Sequence, residues 1–396
     1  MVTTFYPPYH FGGDATYVRA LSRALVARGH EVDVVHCEDA YHLAGKLDPA
    51  QVQSADDGVR VHRLKSRWGA LSPLITQQTG RPGLKSNELN AILSRDFDVV
   101  NFHNISLVGG PALLGYSRAP VTLYTLHEHW LLCPTHIFWK NRNKACDSKQ
   151  CIRCSVRSGI PPQGWRYTGM IQRAISGVDR FLAPSEFTAQ RHREEGIAPV
   201  QVLPLFSFLD PEAGNAHAAP TRPRFLFVGR VTASKGIANL LAHFATLPDY
   251  DLVVVGEGDL RAPLQRQYSG HANIRFLGAI PQQDLIALYR DATALVFPSL
   301  APETFGLSIA EAFACGTPAI VRDAGGSREL IDTTGGGMVY QTDEELLGAL
   351  HRLANDEALR TQLGQHARAG YEKHYTQHRH LEAYLACIAD IQAQKG

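Results

Sequence analysis

Net charge is nearly absent from this 396-residue chain, in which 39 Lys and Arg face 38 Asp and Glu. Without a field of one sign there is no electrostatic footprint for nucleic acid. No stretch nears the roughly 18 consecutive apolar residues that cross a bilayer, and no basic segment leading into an apolar one opens the chain, so a soluble cytoplasmic protein is expected. Repeats and low-complexity tracts are missing, which excludes solenoids and propellers. Cysteine is scarce and odd in number, seven in all, with four between Cys133 and Cys154. That excludes a disulfide framework for the whole chain and points to a local metal site. What is present is the composition of an ordered globular protein, 44% hydrophobic and 19% charged with 34 Gly and 22 Pro, which rules out disorder. At this length two domains are expected. Residues 1–200 hold 23 basic and 17 acidic side chains, net +6, and residues 201–396 hold 16 and 21, net −5. The two halves are therefore expected to meet different partners.

Short, nearly all-apolar runs rich in β-branched residues recur at 31–36, 99–103, 121–126, 180–183, 225–228, 252–255, 274–277, 294–297 and 318–321. Between them lie stretches of 3.6-residue period such as 15–28, 306–314, 344–354 and 357–374. Strands buried on both faces and alternating with helices mean a parallel sheet flanked by helices. The alternation runs twice, separated by the aperiodic stretch 210–223, read as a linker or exposed crossover. The expected fold is α/β, two facing Rossmann-like, doubly wound parallel-sheet domains with a ligand cleft outside the carboxyl ends of their strands. Residues 1–206 are expected to form the first domain, carrying a Cys-rich basic insertion at about 133–173. Residues 207–375 form the second, and a helix in 376–396 is expected to pack back toward the first. Only Met1–Phe5 remain for the first strand, which reads as short and truncated.

Phe225-Leu-Phe-Val-Gly229-Arg230 ends a strand in a glycine that lets the backbone turn close to a ligand, and Arg230 and Lys235 then stand as paired cations suited to a diphosphate. Val253-Val-Val-Gly256-Glu-Gly258 is a second strand followed by Gly-x-Gly, weak by itself. More specific is 297–318, where a buried strand leads through Glu303, Phe305, Gly306 and Leu307 into a helix bearing Glu311. The first N–H groups of that helix form an anion site favoured by its dipole. Glu303 and Glu311 can serve hydroxyls at the two ends of one ligand, as a sugar nucleotide offers at hexose and ribose. The alternative is a capped helix with two surface acids.

These segments resemble the donor-binding half of the family-4 retaining glycosyltransferases of the GT-B fold (glycosyltransferase group 1), whose E-x7-E signature appears as Glu303 and Glu311. Asp323-Ala-Gly-Gly-Ser-Arg-Glu329 and Gly337-Met-Val-Tyr340 resemble that family as well. Tyr6-Pro-Pro-Tyr-His-Phe-Gly12-Gly13 resembles its opening loop, whose glycines let backbone approach donor phosphates. His127 matches a family His that faces the donor sugar, with Glu128 where Asp is usual. The resemblance implies transfer of a hexose from a UDP- or GDP-sugar to a hydroxyl acceptor with retention of configuration, in glycan, polysaccharide or glycolipid assembly. It further implies that Arg230 and Lys235 neutralise the leaving diphosphate, Glu311 holds ribose hydroxyls and Glu303 those of the moving sugar. The N–H groups of Phe305–Leu307 complete the cradle, and Gly12, Gly13, Gly229 and Gly256 let backbone come close to the donor.

Asp96/Asp98 and Asp249/Asp251 spell Asp-x-Asp, a metal-binding signature, but both precede buried strands instead of following one, where a cleft would lie. No catalytic metal or cofactor is expected. Cys133, Cys146, Cys151 and Cys154 sit at spacings x12, x4 and x2 in a basic loop with few apolar residues, for which a structural zinc held by four thiolates would supply a core. An iron–sulfur cluster, a redox pair or unliganded thiols are the alternatives. Around them, 140–173 holds eight basic residues against Asp147, a surface for an anionic or lipid-linked acceptor or for peripheral contact with the inner membrane face. A solvated basic face is the plainer reading.

Three rivals stand beside the transferase. A nucleotide-sugar epimerase would need acid and base groups beyond His127 and Glu303. A dinucleotide-dependent oxidoreductase would need Gly-x-Gly-x-x-Gly after the first strand, which Gly12-Gly13 does not supply. A non-catalytic zinc-containing binding protein would leave Glu303 and Glu311 idle.

Overall fold

The computed structural model describes residues 1–44, 57–212 and 221–396, so residues 213–220 of the expected linker lie outside it. The described chain divides into two compact units, Met1–Ile137 with Ser148–Leu203 and His380–Gly396, and Phe138–Asp147 with Pro204–Arg379.

The first unit is built on parallel strands β1 (Asp33–Cys37), β2 (Arg60–Leu64), β3 (Val99–Phe102) and β4 (Val121–Thr125). After a small hairpin of the second unit, β5 (Trp139–Lys140) and β6 (Lys144–Ala145), it adds β7 (Arg180–Ala183) and β8 (Val200–Val202). The pairs run β2-β1 and β3-β4-β7-β8. Met1–Thr4 joins them: Val2 bridges both Val35 and Phe102, and Thr3 N donates to Val35 O at 3.0 Å. The expected first strand is thus one bridging residue long, Val2. β1 and β4 are buried along their whole length, as apolar runs demand. β2 was not apparent from apolar runs because only Leu64 of it is buried; its ladder to β1 holds it, with Arg60 at 2.9 Å and His62 at 2.7 Å from the Asp33 carboxylate.

The second unit carries six parallel strands, β9 (Arg224–Val228), β10 (Asp251–Val255), β11 (Ile274–Gly278), β12 (Ala294–Phe297), β13 (Ala319–Arg322) and β14 (Gly337–Tyr340). Their order is β11-β10-β9-β12-β13-β14, so the winding reverses between β9 and β12, the switch point at whose carboxyl side ligands bind in such sheets. Phe225, Phe227, Leu252, Val254 and Val296 bury against Ile237, Leu240, Leu241 and Phe244 of the helix Ile237–Phe244, each side chain stabilising the layer by roughly 1.5–3 kcal/mol before chain entropy is counted.

The periodic stretch at 344–354 is the helix Asp343–Asn355, started by a capping box of Thr342 and Glu345. The next, Glu357–His374, is capped by Asp356. In the last helix, Gln377–Lys395, residues from His380 onward belong to the first unit, with Leu381, Tyr384, Cys387 and Ile391 buried. Tyr17 and His380 share a 2.7 Å hydrogen bond, and Asn101 Nδ2 donates to the Tyr384 hydroxyl at 3.2 Å. Among the described residues no helix is long and apolar enough to cross a membrane. Asp96 and Asp98 precede β3, and Asp249 and Asp251 stand at the amino end of β10, the end of each strand opposite the one where ligands bind.

Candidate active site

The loop after β9 turns through Ala233–Lys235 to Gly236, which has φ +68°. A Cβ there would lie 2.1 Å from Pro298 O, so only glycine lets this loop press against the one leaving β12. Ser234 O accepts from Leu300 N at 2.9 Å and Ala301 N at 3.0 Å, locking the two loops together. Lys235 is thereby set beside Glu303, with Nζ 2.6 Å from Oε1. Ser299 Oγ donates to the same oxygen. Glu303 is itself held by its backbone, whose carbonyl accepts from Gly326 N at 2.8 Å. Burial pushes the Glu303 carboxyl up, but Lys235, the Ser299 hydroxyl and the nearby Arg230 outweigh it and hold it below its ordinary value. Gly256, at φ +131°, ends β10 so tightly against β9 that a Cβ would stand 2.0 Å from Gly229 O.

Five residues past Gly306, on the helix Leu307–Ala314, Glu311 accepts a 2.8 Å hydrogen bond from the fully buried Tyr289. Burial pushes Glu311 up to about 7 against the pull of that hydroxyl. Gly306 caps the helix at φ 147° without any side-chain cap, which leaves the first N–H groups to whatever binds there. Arg230, Lys235 and Glu303 therefore come together at the switch point, while Glu311, one turn into the helix, is as buried as Glu303 but has the Tyr289 hydroxyl in place of a cation. Ser299 and Tyr289 were missed in the sequence, because a serine in a loop and a tyrosine on the apolar side of a helix carry no spacing signal.

In the first unit, His127 follows β4 and its Nε2 lies 2.9 Å from Nδ1 of the buried His103. Tyr17 packs edge-on to it with ring centres 4.9 Å apart. Burial, and then the neighbouring His380, lower His127 to about 3, so its imidazole is neutral at physiological pH. Glu128 lies 2.8 Å from Nδ1 of His136. Gly12, at φ +95°, precedes the helix Gly13–Val26. There burial, with Glu128 adding to it, pushes Asp14 up to about 6.

Among the described residues no group of three or more His, Cys, Asp and Glu is placed to hold a metal ion. Cys133, Cys151 and Cys154 belong to the first unit and Cys146 to the second. The basic segment is less available than its composition suggests: Lys140 and Lys144 lie 2.8 and 2.5 Å from Asp147, and Lys149 lies 2.5 Å from Glu195. Arg166 is over the rings of Trp130 and Trp165 at 5.4 and 4.7 Å.

Sequence comparison covers both units. The family described as Glycosyl transferase 4-like domain matches residues 12–205, and the one described as Glycosyl transferases group 1 matches residues 212–370. A GDP-mannose-dependent alpha-mannosyltransferase of Mycobacterium tuberculosis (strain CDC 1551 / Oshkosh) is 30% identical over 297 residues, 73% of this chain and 71% of the relative. Among solved structures, sucrose-phosphate synthase from Thermosynechococcus elongatus superposes with a TM-score of 0.76 at 20% identity, covering 99% of this chain and 98% of that one. The Anabaena protein HepE, in complex with UDP and glucose, gives 0.66 at 16% identity with coverage of 99% and 97%. The structural likeness fixes the fold as GT-B, and with both halves matched and a relative at that identity, the chain belongs to the family-4, group 1 glycosyltransferases.

Proposed function

We propose that the chain is a retaining hexosyltransferase that moves a sugar from a nucleoside-diphosphate donor to a hydroxyl acceptor in glycan, polysaccharide or glycolipid assembly, working in the cytoplasm. The observation that carries this reading is the Lys235–Glu303 pair at 2.6 Å, beside Arg230, at the switch point of the second unit. Without donor, Glu303 balances Lys235. A diphosphate brings its own negative charge to the two cations and leaves Glu303 to accept hydrogens from hydroxyls of the moving sugar. Leu307 and Ser308 N–H, at the helix start, take phosphate oxygens, and ionised Glu311 accepts ribose hydroxyls.

Negative charge grows on the β-phosphate oxygen as the bond from anomeric carbon to phosphate oxygen breaks, and cations placed in advance stabilise it without reorganising. The acceptor oxygen forms its new bond on the face the phosphate leaves, and its proton passes to the departing phosphate oxygen, which preserves the configuration. His127, neutral above about pH 3, enters as a hydrogen-bonding imidazole and not as a base. The GDP-mannose named for one relative and the UDP and glucose of HepE support a sugar-nucleotide donor of either base.

The test is incubation of the purified chain with a panel of sugar nucleotides and acceptors. Release of UDP or GDP, undiminished by chelator, is expected. Formation of an epimer without release of nucleotide would replace this reading with the epimerase.

A further inference from the structure

The first unit holds a second cluster of charged groups that the transfer step leaves unused. Outside the carboxyl ends of β1 and β2, where ligands bind in such sheets, lies a cavity of about 310 Å³ lined by Lys65, Arg67, Trp68 and Lys85, with one carboxylate, Glu88, on its wall. Lys85 is only 2% exposed. Its ammonium donates to Ser72 Oγ at 3.0 Å and Thr76 Oγ1 at 3.1 Å, which uses two of its three N–H donors. Both acceptors are neutral; the Asp39 carboxylate acts on it electrostatically, but among the described residues no carboxylate stands within ion-pair distance of it. Burial of this cation outweighs what Asp39 contributes and lowers its pKa, and an anion in the cavity would relieve the remaining cost.

The remaining walls suit the same ligand. Lys65 is anchored 2.6 Å from the buried Glu38, and Asp39 accepts from Ser66 N at 2.7 Å, which fixes the turn after β2. The Arg67 guanidinium lies 5.3 Å from the ring centre of Trp68. A phosphate has three oxygens for the Arg67 fork and the Lys85 ammonium, and a sugar bearing it can lay its C–H face on an exposed indole, as pockets with aromatic walls and few polar groups do.

We propose that this cavity is an anion site that takes the phosphate of a phosphate-bearing acceptor. Its role toward the acceptor rests on the transferase reading; its affinity for phosphate does not. Tryptophan fluorescence reads it selectively, because Trp68 is 53% exposed while Trp130, Trp139 and Trp165 are 1%, 8% and 6% exposed. Titrating the full chain with inorganic phosphate is expected to give a saturable change that chloride at equal ionic strength does not. Arg67→Gln, an exposed position that does not threaten folding, is expected to weaken it at least ~10-fold, and Lys85→Met to abolish it. A flat titration of the wild-type chain, or an unchanged one in both variants, overturns the site, whereas failure to bind UDP or GDP would overturn the transferase reading alone. Two further arms assign the source of the phosphate. Glucose 6-phosphate binding more tightly than inorganic phosphate points to a soluble phosphorylated sugar. Preference for phosphatidylglycerol-containing over pure phosphatidylcholine vesicles, lost in Arg67→Gln, points to a lipid headgroup. If neither binds better than inorganic phosphate, the acceptor role falls.

Discussion

Replacing Glu311 by Gln separates what this carboxylate does for the fold from what it does for the donor. Burial pushes Glu311 up to about 7 from an ordinary 4.5, a gap that costs about 3 kcal/mol of stability once the group is ionised. The sign follows from the raised value: below 4.5 the group is neutral folded and unfolded, stability is lost as pH rises from 4.5 to about 7 because only the unfolded chain ionises there, and the loss levels off above 7 where both states are charged. Gln keeps the shape and can accept from Tyr289, but carries no charge to desolvate. Glu311→Gln is therefore expected to be more stable than wild type by about 3 kcal/mol at pH 8 and by less than ~1 kcal/mol at pH 5. In thermal unfolding the pH 8 difference corresponds to roughly 6–12 °C. The same variant is expected to bind UDP or GDP more weakly, read by calorimetry, because a neutral amide accepts ribose hydroxyls less well than a carboxylate. In the wild type, nucleotide affinity should fall about tenfold per pH unit below 7 as the carboxyl takes up its proton. If the variant gains no stability at pH 8 relative to pH 5, the carboxylate is not held in a dry setting. If nucleotide affinity is unchanged, Glu311 is not a donor ligand.

Lys235→Ala should cut turnover at least ~100-fold, the scale of losing one contact to transition-state charge, as measured by nucleoside diphosphate release; full activity would remove Lys235 from the mechanism. Gly256→Ala should lower stability by at least ~2 kcal/mol in urea unfolding followed by circular dichroism, because its methyl would meet Gly229 O at 2.0 Å; an unchanged midpoint would mean that the ends of β9 and β10 are looser than described. The cysteine spacing calls for about one zinc per purified chain by mass spectrometry, and a zinc-free chain would leave the four thiols without a metal role.

The central strands of both sheets could be read directly from sequence because they are buried on both faces and so are written in apolar residues: 121–126 and 294–297 lie within a residue of β4 and β12. The edge strand β11 was also legible, at 274–277, but the edge strands β2 and β8 were not. β2 spells Arg-Val-His-Arg-Leu and is held by its ladder to β1, while β8 is three residues long with every one half-buried. In the site, the acids and glycines were legible because they fall at fixed offsets from strand ends. The direct pairing of Lys235 with Glu303 was not, since it depends on two loops locked through Ser234, nor was Tyr289, which reaches Glu311 from a different helix. The basic segment misled in one respect: composition counts cations but cannot say that Lys140 and Lys144 share Asp147.

The last helix bears on how the molecule is made. Leu381, Tyr384 and Ile391 complete the interior of the unit that contains Met1–Ile137, so that interior can close only after residues 380–391 have left the ribosome. Domains usually finish folding in the order they are synthesised; here the unit begun first is completed last, and it waits through the whole translation of the second with Tyr17 still lacking its partner His380. A chain stopped at Arg379 would hold all of the second unit and leave the first one open.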